Sequence, residues 1–88
     1  GNLEDAINIY KKLITIKPNF AEAYNNLGVI LRDSGKLKDA EKNYKKAIQI
    51  NPNYAEAYNN LGITFRELGK LNESVDCYKR ATQLKPNY

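Results

Sequence analysis

Apolar residues recur along this chain with the spacing of amphipathic helices. Between residues 20 and 34 they fall at i, i+3, i+4 and i+7, the spacing of one helical face, at Tyr24, Leu27, Gly28 and Leu31. Between residues 37 and 50 a second apolar stripe is formed by Leu37, Ala40, Tyr44, Ala47 and Ile48. The pattern therefore predicts two helices in succession, each with one buried face.

The same pair of patterns returns after 34 residues. Pro18, Pro52 and Pro86 are 34 apart, and the tract 21–28 returns unchanged as 55–62. A period of this length indicates a stacked all-α solenoid of antiparallel helix hairpins. We expect five helices, at about 3–16, 20–34, 37–50, 54–68 and 71–84. Residues 1–88 then form a single array, with the second helix of a truncated repeat at 1–17, full repeats at 18–51 and 52–85, and the start of another at 86–88.

Polar and small residues mark the predicted helix ends. Asn19 and Asn53 are predicted N-caps, each with a glutamate three residues later in the manner of a capping box. Gly35 and Gly69 punctuate the turns between paired helices. Gly28 lies inside a helix, where glycine costs roughly 1 kcal/mol against alanine. We therefore expect another helix to approach closely at that position and at Gly62.

Composition narrows the function. The chain has one cysteine and no histidine, which excludes an intrachain disulfide, a Cys/His zinc site and any catalytic triad with a histidine base. We expect no cofactor. No apolar run approaches the ~20 residues of a membrane span. The lone cysteine favours a reducing, cytoplasmic location, and the net charge of +4 is too modest to indicate a particular partner.

A set of residues at matched positions in the two copies of the repeat carries a resemblance to a known family. In the first full copy these are Tyr24, Leu27, Gly28, Ala40, Tyr44, Ala47 and Pro52, and in the next Tyr58, Leu61, Gly62, Tyr78, Ala81 and Pro86. With these residues the chain resembles the tetratricopeptide repeat family, although Ser74 stands where alanine is usual. The resemblance implies a right-handed superhelix whose first helices line a concave groove. It also implies a protein–protein interaction module without catalysis of its own.

The first helices are especially similar to the repeats of O-GlcNAc transferases, which share the Ala-x-Ala-Tyr-x-Asn-Leu-Gly style of sequence. In those repeats the asparagine before Leu-Gly forms a ladder that holds a peptide backbone. The matching residues are Asn26 and Asn60. The resemblance therefore also suggests a substrate-docking segment of a larger glycosyltransferase.

A polar stripe on the first helices supplies the candidate binding site. A side-chain amide both donates and accepts hydrogen bonds, so it can pair with the C=O and N–H groups of an extended peptide. The alternative is that these residues are capping and solvated polar positions. The candidates for binding a peptide or protein are Glu22, Asn25, Asn26, Val29, Arg32 and Asp33, with Glu56, Asn59, Asn60, Ile63, Arg66 and Glu67 in the next copy.

The family's chaperone-binding members use a carboxylate clamp of Lys, Arg and Asn. Here Val29 and Ile63 stand where that clamp has asparagine, and Asn25 replaces a lysine. We therefore do not expect these repeats to recognise an acidic chaperone tail.

Basic pairs on the second helices form another candidate surface, at Lys11-Lys12, Lys45-Lys46 and Lys79-Arg80. They could contact phosphate or an acidic protein, but no aromatic residue is interleaved for base stacking, so nucleic acid is not an expected partner. A solvated outer face is the alternative, and i, i+4 pairs at Glu41–Lys45 and Asp76–Arg80 would give these charges an ordinary helical role.

Other apolar and reactive residues have simpler explanations. The recurring tyrosines are expected to pack in the core with their hydroxyls reaching the surface. Cys77 is expected to be an inert surface or half-buried thiol, with an intermolecular disulfide on oxidation as the alternative. Tyr78, Ala81 and Leu84 should lie partly bare, so we expect either a fragment of a longer array or copies of the chain that associate through the ends of the array.

Overall fold

The computed structural model of the protein describes residues 1–87, and this part of the chain contains five α-helices and no strand. The helices are α1 (Asn2–Ile16), α2 (Ala21–Asp33), α3 (Leu37–Ile50), α4 (Ala55–Glu67) and α5 (Leu71–Leu84). Each bound lies within one residue of the prediction. The all-α helical repeat fold is therefore confirmed.

The turns inside the helix pairs end α2 and α4 by the same device. Gly35 has a φ of +80°, and its N–H donates to the Arg32 carbonyl at 2.9 Å. The next N–H, from Lys36, donates to the Leu31 carbonyl at 2.8 Å, which completes a Schellman motif. Gly69 repeats the arrangement with the same φ. The chain therefore reverses within a few residues, and the helices of each pair run antiparallel.

The capping-box prediction is wrong at both helices. The N-cap residues are Phe20 and Tyr54, and neither helix has a side-chain capping hydrogen bond. The preceding residues instead form tight turns, in which the Phe20 N–H donates to the Lys17 carbonyl at 3.2 Å. This turn holds Asn19 outside the helix, one residue too early to cap it. Asn53 occupies the equivalent place in the turn before α4.

Close packing of α3 against α2 confirms the prediction for Gly28. A Cβ atom at this position would lie 2.6 Å from Cε1 of Tyr44, which is far too close for two carbons. The Tyr44 ring therefore lies directly on the backbone of α2. Each helix packs against its neighbour in the chain, and α2 also contacts α4. The core cluster includes Leu27, Leu31, Leu61 and Phe65.

Three expectations about burial are wrong. Tyr44 is 0% exposed, so its hydroxyl does not reach the surface, because α2 and α4 both lie beside α3. Cys77 is buried at 8% exposure and belongs to the core cluster between the helices. Ala81 is also buried, whereas Tyr78 and Leu84 are half-buried. The extra burial comes from packing between helices, which the single-helix pattern does not describe.

An electrostatic network joins α3 to the turn before α5. Glu41 accepts hydrogen bonds from Lys45 at 2.7 Å and from Lys70 at 3.3 Å. Burial alone would raise the pKa of Glu41, but the two lysines outweigh it and lower that pKa. Both ammonium groups also lie over the Phe65 ring, at 5.5 and 5.7 Å from its centroid. The predicted Glu41–Lys45 pair is therefore confirmed as part of a larger contact.

The predicted Asp76–Arg80 pair does not form among the described residues. Arg80 instead lies over the Tyr58 ring, 5.9 Å from the centroid, and reaches Gln83 at 3.5 Å. A flexible guanidinium at an exposed position gains little from an isolated ion pair, so contact with an aromatic face competes easily.

Alkaline pH should destabilise the fold through two buried acids. Burial raises the pKa of the Cys77 thiol from 9.0 to about 11 and that of the Tyr44 hydroxyl from 10.0 to about 12. Above pH 9 the unfolded chain loses protons that the folded chain retains, so stability present below pH 9 is lost as the pH rises towards 12. Urea unfolding followed by circular dichroism at pH 8, 9.5 and 11 would measure this. In the Cys77→Ala variant, the part of the fall in stability that begins at pH 9 should be absent. A urea midpoint independent of pH in the parent chain would contradict the predicted alkaline destabilisation.

Candidate functional site

The predicted stripe lies on α2 and α4, two helices that contact each other directly. The surface formed by its twelve residues is called the α2–α4 groove below. Glu22, Asp33, Glu56, Arg66 and Glu67 are exposed. Half-buried positions are occupied by Asn26, Val29, Arg32, Asn59, Asn60 and Ile63. Asn25 differs from the rest, because it is only 1% exposed.

Asn25 connects the two helices by hydrogen bonds. Its side-chain oxygen accepts from Nδ2 of Asn60 at 3.1 Å, and its own Nδ2 donates to Oε2 of Glu56 at 3.4 Å. A buried amide needs such partners, since leaving it unpaired would cost about 1–3 kcal/mol. The contact orients Asn60 and leaves its second N–H and its oxygen available at the groove. Asn25 itself is thus buried between α2 and α4 and links them through Glu56 and Asn60.

Asn26 and Asn59 are the stripe's remaining amides. Each is half-buried, and no hydrogen bond of either side chain to another described residue is present. Asn59 is the counterpart of Asn25 one repeat later, where no further first helix lies beside it in the described part of the chain. Both amides therefore present donors and acceptors at the surface.

The charged residues of the groove are not paired with one another. The ion pairs found within residues 1–87 join Glu4 to the N-terminus and Glu41 to Lys45 and Lys70. The groove's four carboxylates and two arginines take no part in them. These carboxylates, at Glu22, Asp33, Glu56 and Glu67, are called the groove carboxylates below.

Sequence reasoning missed a buried polar group beneath the groove. The Tyr44 hydroxyl and Nη1 of Arg32 are both buried, and neither has a hydrogen-bond partner among the described residues. Desolvation is the main cause of the raised pKa of Tyr44, and the nearby charges that modify it are those of Arg32, Asp33, Glu67 and Glu56. All four belong to the groove. The signal was present in the repeat, because a second-helix tyrosine between two first helices must be covered on both sides.

No metal centre is evident in the part of the chain that the structure describes, where no cluster of three cysteine or acidic side chains is suitably placed. Within the same residues, none of the helices has both the length and the apolar character that crossing a membrane requires.

Family comparison agrees with the geometry of the helices. A profile described as tetratricopeptide repeat matches residues 19–87, and a profile described as TPR repeat matches residues 1–31. The chain belongs to the tetratricopeptide repeat family. A comparison with curated protein sequences finds no significant match.

Solved structures of the family superpose closely on the chain. The first TPR of Spaghetti (RPAP3), bound to the HSP90 peptide SRMEEVD, has a TM-score of 0.97 and 28% identity, covering 100% of this chain and 70% of that one. The second TPR of Spaghetti, bound to the same peptide, has a TM-score of 0.93 and 28% identity, covering 97% and 79%. A crystal structure of MamA has a TM-score of 0.93 and 26% identity, covering 99% and 51%. The chain thus spans about half the length of MamA.

Proposed function

We propose that the chain is a non-catalytic scaffold that binds an extended peptide or partner segment in the α2–α4 groove. The observation that carries the proposal is the hydrogen bond between Asn60 and Asn25. It fixes an amide at the groove before any partner arrives, so less conformational entropy is lost on binding. TPR neighbours that bind a peptide support the choice of partner class.

The groove suits a peptide backbone because its side-chain amides have both N–H donors and oxygen acceptors available for hydrogen bonds. Asn60 keeps one N–H and its oxygen, and Asn26 has no hydrogen-bond partner in the described chain. Val29 and Ile63 lie one helical turn or less from these amides and offer apolar contact to alternate side chains of the peptide. The groove therefore provides both backbone and side-chain contacts along an extended segment.

Replacing Asn26 and Asn60 together by alanine should weaken peptide binding by roughly five- to tenfold for each amide, because each loses a backbone hydrogen bond. The measurement is binding to an array of immobilised peptides of random sequence, followed by fluorescence anisotropy on the peptides retained. The Asn26→Ala single variant is the cleaner test of the pair, since no hydrogen bond within the chain is lost with it.

The matched control is the double variant Asn8→Ala/Asn72→Ala, which removes two exposed amides from α1 and α5. It should bind as the parent chain does. Circular dichroism is needed beside the binding measurement, because Asn60→Ala also leaves Asn25 without its partner. Equal binding by the groove variants and the control would exclude the groove as the site.

Self-association through the ends of the array is a second candidate, favoured by exposed apolar side chains on the first and last helices. Ile9 and Ile16 of α1 are 64% and 75% exposed, and Leu71 and Val75 of α5 are 62% and 49% exposed. They extend the proposed contact beyond the half-buried Tyr78 and Leu84, whereas Ala81 is buried and is no longer part of it. Sedimentation over a tenfold range of concentration, with Ile16→Ser as the variant, distinguishes a dimer from a monomer.

The remaining expectations stay predictions. The same groove would serve in a substrate-docking segment of a larger glycosyltransferase, and only a catalytic region elsewhere in such a protein would separate the two functions. A cytoplasmic location and the absence of a nucleic-acid partner also stay predictions.

A further inference from the structure

Charge is distributed unequally between the two kinds of helix. The total is +4, but α2 and α4 carry four carboxylates and only two arginines, a net charge of −2. The rest of the chain therefore carries +6. A negatively charged strip on a positively charged molecule attracts the cationic groups of a ligand and orients the approach of that ligand.

The groove carboxylates are available to a ligand. All four are exposed, and none belongs to an ion pair within the described residues. Glu56 accepts one hydrogen bond from Asn25 through Oε2, which positions the carboxylate and leaves its other oxygen free. Glu56 is thus positioned to accept a hydrogen bond from a cationic ligand group.

A second observation beneath the same surface also indicates a missing ligand group. The Tyr44 ring is held against Gly28, one helical turn before Arg32, so Tyr44 lies on the face of α2 that carries Arg32. Both the hydroxyl and Nη1 of Arg32 are buried donors without an acceptor. A ligand carboxylate that accepted hydrogen bonds from these donors would be repelled by the groove carboxylates. A neutral backbone carbonyl of a peptide could accept the same hydrogen bonds without that repulsion.

We propose that the α2–α4 groove selects extended peptides that carry lysine or arginine side chains. The cations pair with the groove carboxylates, and a neighbouring backbone carbonyl accepts the hydrogen bond of the Tyr44 hydroxyl. Because that hydroxyl is buried, side chains beside it must move as the peptide enters. This inference rests on the proposed function and specifies the class of peptide.

The test uses three fluorescein-labelled peptides in which serine alternates with lysine, glutamine or glutamate. Fluorescence anisotropy at low salt should show the lysine peptide binding roughly tenfold more tightly than the glutamine peptide, with the glutamate peptide weakest. The preference should shrink as salt is raised, because exposed charges are screened. The acidic peptide SRMEEVD should behave like the glutamate peptide.

Variants separate the groove from the overall charge. Asp33→Asn/Glu67→Gln should weaken binding of the lysine peptide roughly fivefold and that of the glutamine peptide much less. Asp39→Asn/Glu73→Gln changes the net charge equally on exposed positions of α3 and α5, and it should change neither. Tyr44→Phe should weaken all peptides that bind by roughly fivefold while the Tm stays equal or rises, because an unpaired buried hydroxyl has been removed.

Each outcome has a distinct meaning. Equal affinity for the lysine and glutamine peptides, or equal effects of the two charge-neutralising pairs, overturns the selectivity and leaves the proposed function standing. Unchanged binding by Tyr44→Phe overturns the carbonyl contact. Failure of all three peptides and of the random array to bind overturns the proposed function itself.

Discussion

Gly28→Val is expected to lower the free energy of unfolding by more than about 3 kcal/mol, and Gly28→Ala by about 1–2 kcal/mol. A Cβ atom at this position meets three atoms of the Tyr44 ring, at 2.6, 2.8 and 2.9 Å. The ring cannot retreat, because Tyr44 is wholly buried. Alanine gains about 1 kcal/mol of helix propensity over glycine, which offsets part of the steric cost.

Gly62→Ala is the matched control for this prediction. The corresponding distances to the Tyr78 ring are 2.9, 3.0 and 3.2 Å, and Tyr78 is only half-buried. That ring can move by a few tenths of an ångström, so the gain in helix propensity should balance the crowding. Urea unfolding followed by helical circular dichroism compares the two variants. A Gly28→Ala chain as stable as Gly62→Ala would show that the Tyr44 ring is free to shift.

Phe65→Ala is expected to remove about 3–5 kcal/mol, the usual cost of deleting a buried aromatic ring. Phe65 is 5% exposed and lies in the core cluster with Leu31 and Leu61. Its loss leaves a cavity and also removes the ring that lies beneath the Lys45 and Lys70 ammonium groups. Domains of this kind have only about 5–15 kcal/mol of stability, so the variant should lose a large fraction of it.

Two controls divide the effect of Phe65 into parts. Phe65→Leu introduces the residue that stands at the equivalent position of the preceding repeat, Leu31, and should cost less than about 1.5 kcal/mol. Glu41→Gln keeps the ring and weakens only the pairing with the two lysines, which should cost less than about 1 kcal/mol. A Phe65→Ala chain no less stable than Phe65→Leu would mean that the core collapses onto the vacated space.

Local pattern predicted the helices and the close contact at Gly28 because both depend on spacing within one repeat. The apolar face of α2 follows from the i, i+3, i+4 and i+7 spacing. A glycine inside a helix is unfavourable, so its presence at Gly28 indicated that a neighbouring helix approaches closely there. The capping of α2 was mispredicted because Asn19 takes part in a turn with the residues before it. A turn and a cap use the same residue types, so composition cannot distinguish them at one position.

The interactions between repeats were the part that local pattern did not predict. Asn25 and Asn26 are neighbours with the same chemistry, yet one is buried between α2 and α4 and the other faces the groove. The packing of α4 against α2 decides which is which. The same packing buries the hydroxyl of Tyr44, whereas Tyr78 one repeat later stays half-buried because no further helix covers it in the described part of the chain.

The contact between Asn25 and Asn60 joins positions that are 35 residues apart in a chain whose period is 34. It therefore links two different sites on successive repeats, and each repeat carries the acceptor on one side and the donor on the other. Such a contact is heterologous, because it joins the donor of one repeat to the acceptor of the preceding one. A duplicated copy of the repeat, inserted between two existing ones, would meet an asparagine acceptor on one neighbour and an asparagine donor on the other. An array of this sequence can therefore grow by gene duplication without a new interface.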